Sequence, residues 1–231
     1  MASPVVQDVT ESATTTAGTS HVVTMPATRP DGQLYILISD VGSTAATWDT
    51  AGGAWTELLD EGVANGLHIA YRWGASEPAS YTFTTSAATR SADMVYRLAG
   101  AENPATTPPQ IGTTATGTSA TPDPPASATP PSSKDYLFIA FYGADGEEAD
   151  DDTWSDTPPT NYTPSPPRQK ACGVAGTNLG GLLAAAERQL TTGSAENPGT
   201  FAKDVSAGWR SQTITVHPGP PTAAAFAMMM E

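Results

Sequence analysis

The densest array of side chains able to do chemistry is Asp145-Gly146-Glu147-Glu148-Ala149-Asp150-Asp151-Asp152, followed by Trp154 and Asp156. Calcium binds clustered carboxylate oxygens, which makes Asp145, Glu147, Asp150 and Asp152 candidate ligands. Their spacing is not that of an EF-hand loop, and a run of like charge reads first as a solvated acidic loop. No other cofactor is expected. His21, His68 and His217 are far apart in sequence and each lies on or beside a strand-like segment, so each reads as structural. Cys172 is alone, which excludes an intrachain disulfide; with no cationic neighbourhood to activate it, it reads as a small buried hydrophobe. There is no Gly-x-Ser-x-Gly elbow, Walker loop, His-Glu-x-x-His or Cys/His metal spacing. The chain is therefore expected not to be an enzyme.

Aromatic and apolar groups offer binding rather than catalysis. Trp48 and Trp154 fall in loops and are candidates for stacking on a ligand such as a sugar ring, whereas Trp55, Trp73, Trp209, Tyr71 and Tyr162 read as core. The C-terminal segment 218–231 begins with prolines and carries Phe226, Met228, Met229 and Met230. Methionine-rich apolar segments make adaptable contacts, so these four residues are the candidate subunit-docking residues.

The elements that must position these groups are strands. Of 231 residues, 21 are Gly and 21 are Pro, with only 15% charged and 7% aromatic, a composition that argues against helical bundles. The net charge of −14, from 10 Lys+Arg against 24 Asp+Glu, argues against nucleic acid as a partner and against anionic membrane surfaces. No apolar run is long enough to span a membrane, and Met1-Ala2-Ser3-Pro4 opens no signal peptide, so neither is expected.

Short apolar runs alternate with turn residues and recur in the same order. Gly18-Thr19-Ser20 with Pro26-Ala27 matches Gly117-Thr118-Ser119 with Pro125-Ala126, and Leu34 to Ile38 matches Tyr136 to Ala140. Trp55-Thr56 answers Tyr162-Thr163, Gly66-Leu67 and Arg72 answer Gly181-Leu182 and Arg188, and Glu77-Pro78 with Phe83 answers Glu196-Asn197-Pro198 with Phe201. Arg90-Ser91 answers Arg210-Ser211. A repeat of this length means one structural unit used twice. It also resolves Gly181 to Leu190, whose composition favours helix, as a strand like its partner Leu67 to Trp73. Trp55, Leu58 and Leu59 have i, i+3, i+4 spacing, which suggests a short helix over Ala54 to Glu61.

The expected fold is an all-β sandwich, jelly-roll-like or Greek-key, built from two repeated halves of about five strands each. Residues 1–16 form an N-terminal arm and 17–217 the sandwich. Its halves, 17–100 and 116–217, are joined by the Pro/Thr-rich 101–134 segment, and 218–231 form the apolar tail.

The runs Gly66 to Arg72, Glu77-Pro78-Ala79-Ser80-Tyr81-Thr82-Phe83 and Arg90-Ser91-Ala92 to Leu98 resemble a module of phage and phage-associated β-sandwich proteins. Ala120 to Pro125, Lys134 to Ala140, Glu187-Arg188 and Glu196-Asn197-Pro198 extend the likeness over most of the chain. The resemblance implies a non-enzymatic structural protein on the virion surface, assembled in a host bacterial cytoplasm. Its expected form is a capsid decoration (cement) protein, homo-oligomeric and partnered with the major capsid protein or other virion subunits. A carbohydrate- or receptor-binding module of a tail fibre or spike is the alternative.

Overall fold

The computed structural model describes residues 3–42, 44–146, 156–173 and 180–220. Among these residues the regular structure is entirely β, arranged as two antiparallel sheets packed as a sandwich. The chain first lays down β1 (Val5–Thr24), β2 (Leu34–Val41), β3 (Thr56–Asp60), β4 (Leu67–Trp73) and β5 (Ser80–Ala99), which order themselves β1-β5-β2-β4-β3. It then adds β6 (Gln110–Ile111), β7 (Ala115–Ser119), β8 (Lys134–Gly146), β9 (Thr163–Ala171), β10 (Gly180–Thr192) and β11 (Ala207–Val216). The second sheet runs β6-β11-β8-β10-β9, with β7 beside β6 along the same edge of β11. Its order β7-β11-β8-β10-β9 is strand for strand that of the first sheet. One sheet is complete before the other begins. The expected all-β sandwich is present, and it forms by stacking two whole sheets.

Central strands are buried on both faces, which explains their continuous apolar runs. All eight residues of β2 are buried. Leu34, Ile36 and Ile38 point between the sheets and meet Leu137, Ile139 and Phe141 of β8, while Tyr35, Leu37 and Val41 point outward into a second apolar layer. In β10, Leu183 and Ala185 face the other sheet, and Leu182, Ala184 and Ala186 face a third layer with Tyr136, Phe138, Tyr142 and Phe201. Pairing with β8 and β9 on its two sides holds this segment extended despite its helix-favouring residues.

The outer layers are closed by chain folding back over each sheet. β1 and β5 are both 20 residues long and pair along most of their length, with register shifts between Thr14, Gly18 and Ser20. There the ribbon bends, so that Val23, Met25 and Phe83 lie on Tyr35, Leu37 and Val95. In the second half a Pro-rich stretch does this work. Phe201 N–H donates to Pro122 O at 2.8 Å and Lys203 N–H to Ala120 O at 2.9 Å. Because proline has no N–H, the donors come from the 201–203 side and no regular ladder forms.

Residues 5–16 lie in β1, and 101–134 holds β6, β7 and part of the outer cover. One further expectation is revised. Ala54 to Glu61 contains strand β3 rather than a helix, for a reason given by its bulge below.

Candidate functional site

The chemistry-bearing side chains collect in the layer over the outer face of the first sheet. β5 presents Ser91 and Asp93 outward, and the folded-back part of β1 lowers His21 onto them. Ser91 Oγ lies 2.9 Å from Asp93 Oδ2 and 3.1 Å from His21 Nδ1. His21 Nε2 lies 3.0 Å from Thr85 Oγ1, whose hydroxyl donates to Ala87 O at 2.9 Å. All four side chains are buried.

Thr85 spends its proton on Ala87, so it accepts from His21 Nε2–H. Ser91 Oγ–H donates to Asp93 Oδ2, and the same oxygen lies against His21 Nδ1. Burial raises Asp93 from its ordinary 3.8 to about 7, only partly offset by hydroxyl hydrogen bonds, and burial lowers His21 below 6.5. The residue types are those of a hydrolase triad, but the order is not. The serine sits between histidine and carboxyl, and no member reaches solvent, so the constellation is a packing network rather than a nucleophile.

Trp48 closes this layer. It is 6% exposed, its ring is stacked 5.1 Å from His68 at 15° and 4.9 Å from His21, and Phe83 meets its edge at 5.9 Å. Trp48, a candidate for ligand stacking, is thus packed against three of the protein's own rings. His68 is completely buried, neither ring nitrogen has a hydrogen-bond partner, and burial holds it neutral by lowering its pKa to about 3. Beside it, β3 carries Glu57 opposite Ala70 and Asp60 opposite His68, with a bulge between Glu57 and Leu59. In a regular strand residues three apart face opposite ways; the extra residue turns Glu57 and Asp60 to the same face. Asp60 is held by N–H donors from Trp48 at 2.9 Å and Gly62 at 3.3 Å.

A second polar group lies at one end of the inter-sheet core. Asp40 points from β2 toward Gly143 and Gly181 on β8 and β10, fully buried, with neither carboxylate oxygen hydrogen-bonded. Burial, then the charges of Asp145, Glu61 and Asp93, push its pKa well above the usual carboxylate value. Cys172 Sγ accepts the Gly181 N–H at 3.2 Å, and burial pushes the thiol up to about 12. It is buried among apolar residues and chemically quiet, as expected of it.

At the surface, a cleft of about 570 Å³ between the start of β1 and the β9–β10 pair contains Arg168, Glu187 and Arg188. Its charges are committed to one another: Arg168 to Glu187 at 2.7 Å, and Arg188 to Glu196 at 2.7 Å.

Of the residues singled out by sequence, Asp145 lies within β8 opposite Gly181, not in a loop. Asp156 is buried and accepts the Tyr142 hydroxyl. Glu147, Asp150, Asp152, Trp154, Phe226, Met228, Met229 and Met230 lie outside the described residues. The grouping of His68 with Glu57 and Asp60 was not legible in sequence, since the bulge that creates it has no residue signature. Comparison of the chain with protein-family models, with curated proteins and with solved structures finds no match.

Proposed function

We propose that this protein is a non-enzymatic structural subunit of a phage particle, a capsid decoration protein that joins copies of itself and the major capsid protein. Its sandwich, of the jelly-roll or Greek-key kind, is one unit of about five strands used twice, a reading supported by the matching strand orders and by residue pairs that recur between the halves. The phage context rests on the sequence resemblance.

The structural observation that carries the reading is the edge of β1. The other sheet edges are blunted by the means natural proteins use: β3 and β7 have five residues, β6 has two, and β9 carries Pro164, Pro166 and Pro167. β1 instead offers 20 residues composed mostly of Ser, Thr, Ala and Val, without lysine or proline. A long, weakly charged edge is a template for strand addition from a neighbouring subunit. Val5, 43% exposed, is among the few exposed large apolar side chains and lies at its start.

The test is assembly with and without this chain. Particles lacking it should lose their contents at lower temperature or lower salt. Lysines at the exposed Val5 and Gln7 should block incorporation while leaving the free protein's melting temperature unchanged. Particles indifferent to its omission would overturn the proposal.

A further inference from the structure

The bulged edge strand β3 and its neighbour β4 bring three metal-ligating groups together, and the side chain at their centre lacks a partner. We propose that Glu57, Asp60 and His68 bind one divalent cation of the zinc class. One ligand atom from each lies within 4.8 Å of the others, and among the described residues this is the group of His, Cys, Asp and Glu side chains so arranged.

Three observations carry the assignment. His68 is 0% exposed and neither ring nitrogen makes a hydrogen bond, so an imidazole lone pair is buried and unused beside two carboxylates. Most buried polar groups in folded proteins have a hydrogen-bond partner, and a metal is another partner that satisfies them. The bulge between Glu57 and Leu59 places both acids on the His68 face, which a regular strand could not do. Asp60 is already oriented by the Trp48 and Gly62 N–H groups, the kind of hydrogen bonding that fixes a ligating carboxylate.

The donor set selects the ion. One imidazole and two carboxylates suit zinc and its first-row neighbours, whereas calcium takes six to eight oxygens and does not favour imidazole. Zinc bonds of about 2.0–2.1 Å require tetrahedral ligand atoms to close to about 3.4 Å. Glu57 is exposed, so its side chain can swing in to close that gap, leaving the fourth position to water. The ion would tie the edge strand β3 to β4 and, through Asp60, to the loop that carries Trp48. This role is independent of the phage reading and survives its failure.

Calorimetric titration of the intact, metal-stripped chain with zinc chloride should give one site dependent on Glu57 and Asp60, together with a rise in melting temperature. Glu57→Gln, at an exposed position, should weaken binding at least tenfold while the metal-free melting temperature stays unchanged. Asp60→Asn should weaken it similarly. Parallel titration with calcium chloride should show no site sensitive to either substitution. Absence of zinc binding at millimolar concentration overturns the proposal. So does zinc binding that both variants leave intact, or a calcium site that these variants abolish.

Discussion

Arg72 Nε stands 2.8 Å from Glu77 Oε2 in the first sheet, and the second sheet repeats the pair as Arg188 and Glu196 at 2.7 Å. The two pairs are not equally enclosed. The Glu77 side chain is fully buried and also accepts the Ala75 N–H and the Tyr81 hydroxyl, each at 2.8 Å. Glu196 accepts the Tyr162 hydroxyl at 3.4 Å, and its arginine is more exposed. Removing one partner of a buried pair strands the other, so Glu77→Gln should cost about 3 kcal/mol and Glu196→Gln about 1 kcal/mol. Urea denaturation of the two variants measures the difference, and equal losses would mean that enclosure does not set the cost.

The matched pairs also mark what sequence could reveal. Arg72 and Arg188 each pair with a glutamate, Glu77 and Glu196, and Phe83 and Phe201 each lie in the apolar layer over their own sheet. Central strands were legible because burial on both faces leaves an unbroken apolar run, as in Leu34 to Ile38. The edge was not. The bulge between Glu57 and Leu59 breaks the alternation, so Leu58 and Leu59 both pack toward the inter-sheet core and imitate helical spacing. Trp48 was unreadable for another reason: a loop that folds back over a sheet looks, residue by residue, like a loop that faces water.

Trp48 should therefore behave as a core residue. Its ring fills the space between His21, His68 and Phe83, and truncating a buried aromatic typically costs about 3–5 kcal/mol. Trp48→Ala should show a loss of that order by urea denaturation, with Trp48→Phe recovering much of it. A variant as stable as the parent would mean that the ring is dispensable to packing and would reopen its role in ligand stacking.

Asp93 should give the protein a defined pH dependence. Its folded pKa of about 7 lies above the ordinary 3.8, so the folded state holds a proton that the unfolded chain has released. Stability from this group is complete below about pH 4 and is lost as pH rises through 7. Asp93→Asn removes the titration and keeps an amide oxygen to accept from Ser91 Oγ–H. The variant should gain on the parent by about 2–3 kcal/mol between pH 5 and pH 8. His21 titrates in both proteins, so it largely cancels from the difference. Melting curves of the pair across that range test it, and a constant offset would show that Asp93 is ionised in the fold.

Asp40 and Gly181 meet across the sheets so closely that neither can change alone. A Cβ on Gly181 would fall inside contact distance of Asp40 Oδ2, with Cys172 Sγ its next neighbour at 3.6 Å; one on Gly143 would lie 2.6 Å from Asp40 Oδ1. A buried carboxyl without hydrogen bonds has no solvated direction in which to retreat. Gly181→Ala should therefore destabilise strongly through overpacking, by about 2–3 kcal/mol. Removing the obstacle should reverse this. In the Asp40→Ala background the new methyl enters the space left by the carboxyl, and the costly burial of that group is gone as well. The double variant should thus be more stable than Gly181→Ala alone, a non-additivity that a double-mutant cycle in urea reads directly. Simple additivity would mean that the facing strands move apart to admit the methyl, and that the close approach of the two sheets at this end is not fixed by Asp40.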